Sequence, residues 1–67
     1  MGFEKIVLAK VAKVLGQDGL ASFTQGTLFV CAPEADARRV FSMLFRDYNQ
    51  RVHISLVGCE FAFDFVD

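Results

Sequence analysis

The chain contains no tryptophan and only one tyrosine, one proline, one histidine and two cysteines in 67 residues. A single histidine with no Cys-x-x-Cys spacing leaves no zinc ligand set. Asp64 and Asp67 sit in or beside a strand and are too few to make a calcium loop. No metal or cofactor is therefore expected. Cys31 and Cys59 lie far apart in apolar strands. They are expected to be reduced, buried packing residues, which suits a cytoplasmic setting. A disulfide joining two hairpins is the alternative. No glycine-rich phosphate loop is present, since Gly16 and Gly19 follow a helix rather than a strand, the reverse of the nucleotide-binding context.

Long apolar runs are missing as well. None approaches the ~18–20 residues that span a bilayer, so no membrane contact is expected. Charged residues interrupt Phe3 to Leu15 at helical intervals, which excludes a signal peptide. With Met1 at the start, no tag and a strand at the end, the chain reads as a complete small reading frame. One sign of charge is absent from the C-terminal region. Residues 52–67 carry Glu60, Asp64 and Asp67 but no Lys or Arg, whereas residues 1–51 hold all seven basic residues against five acids.

What is abundant is apolar surface: 54% of residues are hydrophobic and eight are Phe. A chain of this size forms one domain and buries only about 60% of its unfolded surface. A single core of that size rarely supplies more than ~3–5 kcal/mol net. So much apolar side chain is hard to hide in a monomer, and a homodimer is expected.

The patterning predicts the order helix, strand, strand, helix, strand, strand. Phe3, Val7, Leu8, Val11, Val14 and Leu15 form the buried stripe of a first helix, with Gly2 as N-cap and Gly16 after its end. Leu20 to Thr24 and Thr27 to Ala32 read as strands around Gln25-Gly26, either a two-residue turn or a longer loop with a bulge at Gly26. Pro33 is placed at the first position of a second helix, whose stripe is Ala37, Val40, Phe41, Leu44 and Tyr48, flanked by Phe45. Met43 falls on its margin, and Asn49 ends it.

The last seventeen residues hold the most specific signal. Val52, Ile54 and Leu56 alternate with polar residues before Gly58, and Phe61, Phe63 and Phe65 alternate after it. In one unbroken strand, parity would put Glu60 and Asp64 on the face of Val52 and Ile54. A type II′ turn at Gly58-Cys59 removes that conflict and pairs Leu56 with Phe61, Ile54 with Phe63 and Val52 with Phe65, and a bulge at Gly58 is the alternative that also repairs the parity. All six then point inward. The fold class is α+β: two helices packed on one face of a mainly antiparallel four-stranded sheet.

The opposite sheet face collects Leu20, Phe29, His53, Val57, Glu60, Asp64 and Val66. That surface is half apolar. With both helices on the other side it is open to dock a protein partner or a second copy, and Glu60 to Val66 has no Lys or Pro to blunt it as an edge strand. The expected function is a non-enzymatic protein-binding module acting stoichiometrically, as a small subunit, adaptor or inhibitor, with a phage- or mobile-element-encoded inhibitor among these. The alternative is a small nucleic-acid-binding protein using Lys5, Lys10, Lys13, Arg39 and Arg46, although a sequence pI near 5.7 argues against it. Acid–base chemistry by His53 opposite Asp64, with Ser55 alongside, is a third and weaker reading. A cross-strand ion pair accounts for the same residues.

Overall fold

In the computed structural model, which describes residues 2–66, the chain order is helix α1 (Phe3–Leu15), strands β1 (Leu20–Thr24) and β2 (Thr27–Cys31), helix α2 (Glu34–Tyr48), and strands β3 (Arg51–Val57) and β4 (Glu60–Val66). Asp67, the last acid of the acidic C-terminal region, lies outside the described residues, as does Met1. The strands form one antiparallel sheet in the order β1-β2-β4-β3. Both helices pack on one face of it, so the α+β sandwich and its element order are as the patterning predicts.

Turn chemistry sets the registers. Gln25 and Gly26 both have positive φ, 51° and 82°, the requirement of a two-residue type I′ turn between paired Thr24 and Thr27. Gly58 has φ 63° and Cys59 does not share it, as in a type II′ turn. Across this second hairpin Val52, Ile54 and Leu56 pair with Phe65, Phe63 and Phe61, as parity requires. β4 also pairs with β2, matching Leu28 with Phe63 and Val30 with Phe61.

The core follows from these registers. Leu28, Val30 and Phe63 from the sheet meet Val7, Val11 and Leu15 of α1 and Ala37, Val40, Met43 and Leu44 of α2. Phe3 of α1 stands edge-on to Tyr48 and Phe65, with ring centroids 6.1 and 5.9 Å away, and Phe65 stacks on Phe23 at 6.1 Å. These rings close one end of the sandwich. α2 ends at Asn49, which adopts the left-handed conformation (φ 53°, ψ 39°). Its N–H donates to the carbonyls of Leu44 and Phe45, and the Gln50 N–H also donates to Leu44.

Several expectations need correction. β4 is an interior strand flanked by β2 and β3, so the sheet edges are β1 and β3. Only two of the six inward residues of the terminal hairpin fail to find cover: Ile54 is 37% exposed and Leu56 65%. They share the face of Phe63 but sit on the outermost strand, which α2 covers only in part. On α2, Met43 is buried whereas Phe41 is exposed, because the helix rolls its Met43 side toward α1. Phe3, placed in the α1 stripe, is also exposed. β2 stops at Cys31, one residue short of the expected end. Pro33 is the N-cap and not the first helical residue, since its ψ of 152° is extended. Both cysteines are exposed free thiols, Cys31 on the uncovered sheet face and Cys59 in a turn.

Gly19 performs a role the sequence reading assigns only to a turn. A Cβ there would lie 3.0 Å from the Ala32 Cβ and 3.2 Å from both the Cys31 carbonyl oxygen and the Leu15 Cβ. The short 3-10 turn Gly16–Asp18 therefore brings the chain from α1 to β1 in direct contact with the end of β2. A side chain there would fit only if these neighbours gave way by a few tenths of an ångström.

Candidate functional site

Strand parity and register put all seven expected interface residues on the sheet face turned away from the helices. They do not form one patch. Leu20 pairs with Cys31 at the β1 edge and Val57 pairs with Glu60 at the β3 edge, so three strand spacings, about 14 Å, separate the two apolar ends. Phe29 lies between them, paired with Ser22 on one side and Ala62 on the other. Ala62 is the one residue of this face that is buried, hemmed in by strands on both sides. Leu20 is the most exposed large hydrophobic at 77%, followed on this face by Val57 and Val66. Val66 sits at the far end beside Arg51, beyond a polar row.

That polar row contains His53, Asp64 and Thr27 on adjacent strands. The Thr27 hydroxyl donates to the Asp64 carboxylate (Oγ1 to Oδ1, 2.7 Å). Among the described residues His53 makes no ion pair, although it pairs with Asp64 in register. Asp64 thus orients toward β2 and not toward the imidazole. Ser55 belongs to the next row, opposite Ala62. His53 and Asp64 are exposed, and Ser55 lies half-buried in the adjacent row of the same sheet face.

The helical layer brings the basic residues together more closely than their spacing suggests. Lys13, Arg39 and Arg46 line a groove of about 390 Å³ between α1 and α2, together with Arg38, Ser42 and the apolar Val14 and Met43. Lys10 stands nearby, 3.8 Å from Asp47 on α2. Lys5 is not among the groove residues. Arg38 was missed as a groove residue, although Arg38, Ser42 and Arg46 recur every fourth position and so occupy one row of a helix. Acids neutralise much of this charge: Arg38 pairs with Glu34 at 2.7 Å, Arg39 with Asp36 at 3.7 Å and Arg46 with Asp47 at 3.0 Å. The Arg46 hydrogen bond holds the Asp47 carboxyl below its usual range, with Lys10 adding to the effect, and Asp47 in return raises Arg46.

A third surface was not anticipated. A groove of about 310 Å³ between α2 and the terminal hairpin is lined by Glu34, Ala37, Arg38, Ile54 and Phe61. Phe41 and Phe45 continue the Glu34–Arg38 flank of α2, since positions 34, 38, 41 and 45 fall on one side of a helix. Both rings are exposed, Phe45 by 53%. Ile54 and Leu56 on β3, with these phenylalanines, make an apolar strip along one edge of the molecule. The sequence signal was present, because Phe45 flanks the buried stripe of α2. Locating the strip required knowing that β3 is an edge.

Among the described residues, no helix is long and apolar enough to cross a membrane, and no group of three or more His, Cys, Asp or Glu is placed to hold a metal ion. Comparison with protein-family models, with curated proteins and with solved structures finds no match to this chain.

Proposed function

We propose that this protein is a non-enzymatic binding module that acts stoichiometrically, by occupying a protein surface with its sheet. The observation that carries this reading is the one-sided sandwich. Both helices serve one face, leaving Leu20, Val57 and Val66 uncovered on the other and Ile54 and Leu56 uncovered at the β3 edge. Exposed apolar groups at the two ends of an open sheet face and along its β3 edge are what protein association consumes. The chain presents them on a rigid scaffold. The His53–Asp64 row adds polar groups to the same face, where they favour one docking orientation over others.

The test combines light scattering with affinity capture, comparing the wild-type chain with Leu20→Lys and Val57→Lys. Both positions are exposed, so the variants keep the fold. The reading predicts either self-association of the wild type or retention of a protein at one-to-one level, and in the second case the variants release that protein. It fails if the wild-type chain stays monomeric and retains nothing that these variants release.

A second reading rests on the groove between the helices, where Lys13, Arg38, Arg39 and Arg46 converge. Such a groove suits the backbone of a nucleic acid, and affinity would then fall steeply with salt. Fluorescence anisotropy with labelled single- and double-stranded DNA and RNA at low salt decides it. Absence of binding there removes it.

A further inference from the structure

Resting on the protein-binding reading and deepening it, we infer that the partner at the β3 edge is a second copy of this chain. The two copies pair β3 to β3, antiparallel, across a two-fold axis perpendicular to the sheet. The product is a continuous eight-stranded sheet with four helices on one face.

The state of the edge is the first argument. β3 is outermost, seven residues long, and in unbroken register with β4 from Arg51–Val66 to Val57–Glu60. It has no proline, lysine or bulge, the devices that normally prevent edge-to-edge pairing. The other edge, β1, is only five residues long.

Next comes the match between the copies. Arg51 and His53 carry the only ionisable side chains of β3, and both lie in its first half. Antiparallel pairing about Ile54 sets Arg51 opposite the uncharged end of the partner strand, whereas parallel pairing would stack arginine on arginine. A perpendicular two-fold also places the α2 helix of each copy beside the seam on the same face. The strip of Phe41, Phe45, Ile54 and Leu56 in one copy then meets the same strip in the other. The remaining charges on that flank, Glu34 and Arg38, already form an ion pair at 2.7 Å and cancel.

Area gives the third argument. Phe41, Phe45, Ile54 and Leu56 are 39%, 53%, 37% and 65% exposed. With ~200 Å² for an aromatic side chain and somewhat less for Ile or Leu, they offer about 350 Å² per copy. Interfaces are about 57% apolar, so roughly 700 Å² from two copies corresponds to a total near 1,200 Å². That is the lower bound of stable specific interfaces, and it implies a dimer that dissociates on dilution.

The experiment is light scattering across protein concentrations from about 5 to 500 μM, with a dissociation constant on the micromolar scale expected from an interface of this size. The mass doubles over this range in the wild type. Leu56→Lys and Phe45→Glu each raise the dissociation constant at least tenfold while circular dichroism remains unchanged, and Leu20→Lys at the opposite edge leaves it unaltered. A wild-type chain that is monomeric throughout overturns the inference, as does a dimer indifferent to both Leu56→Lys and Phe45→Glu. A dimer broken by Leu20→Lys instead also overturns it, but leaves the protein-binding reading standing. So does a monomer that captures a different protein at one-to-one level in a manner sensitive to Val57→Lys.

Discussion

Replacing Phe63 with alanine removes the largest fully buried side chain, which bridges Leu28 on β2 and Ile54 on β3. Loss of its burial costs about 1.5–3 kcal/mol. A residual cavity of up to roughly 100 Å³, at ~24 cal/mol per Å³, adds about 2 kcal/mol. A single core in a chain of this length supplies only ~3–5 kcal/mol net. Phe63→Ala is therefore expected to be largely unfolded at 25 °C, and the milder Phe63→Leu makes the effect measurable. Its expected loss of about 1–1.5 kcal/mol lowers Tm by roughly 5–10 °C. Leu56→Ala is the control, since it lies on the same face two pairs away but is 65% exposed. It loses only about a third of the ~1.5–3 kcal/mol that a fully buried leucine contributes, roughly 0.5–1 kcal/mol. Urea melts followed by far-UV circular dichroism give both values. A Leu56→Ala cost equal to that of Phe63→Leu would refute the reasoning, as would a stably folded Phe63→Ala.

Other outcomes follow from single features. Gly19→Ala is expected to cost about 1–3 kcal/mol, because its Cβ would meet Ala32, Leu15 and the Cys31 carbonyl at 3.0–3.2 Å; a thermal melt unchanged from wild type counts against that close approach. Asp47 binds its proton less readily in the folded chain, so its contribution is present above the unfolded carboxyl pKa of 3.8 and is lost as pH falls through the lower folded value. Between pH 5 and 3 the Tm of wild type should therefore fall more than that of Asp47→Asn, by a small amount because the Arg46 pair is solvent-exposed; parallel curves would show that the pair contributes nothing. Both thiols are exposed, so a thiol reagent should modify two cysteines per chain without denaturant. Modification that requires unfolding would contradict the placement of Cys31 and Cys59.

The legible parts of the fold were those governed by local rules. Parity about Gly58 determined which residues face each other across the terminal hairpin, because a one-residue slip would have exchanged Phe63 for Asp64 in the core. The helices were readable from the spacing of Val7, Val11 and Leu15 and of Ala37, Val40 and Leu44, and Asn49 is at home in its left-handed cap. Strand order was not readable. Either strand of the terminal hairpin satisfies parity when placed at the edge, and the choice depends on β2 pairing with β4, a contact between residues more than thirty positions apart. This hid the exposure of Ile54 and Leu56 and, with it, the strip beside Phe41 and Phe45. The open-face residues were identified through parity alone, but their division between the two edges followed from that same strand order. The cysteines were misplaced because general burial preference ignores the strand parity that puts Cys31 on the open face and the turn that holds Cys59.

Hydrogen exchange measured by mass spectrometry at low and high protein concentration addresses the sheet edge directly. The account predicts that peptides spanning Arg51–Val57 gain protection as concentration rises from about 5 to 500 μM, while Leu20–Thr24 exchanges at the same rate throughout. Exchange at Arg51–Val57 independent of concentration, or protection gained at Leu20–Thr24 instead, would contradict it.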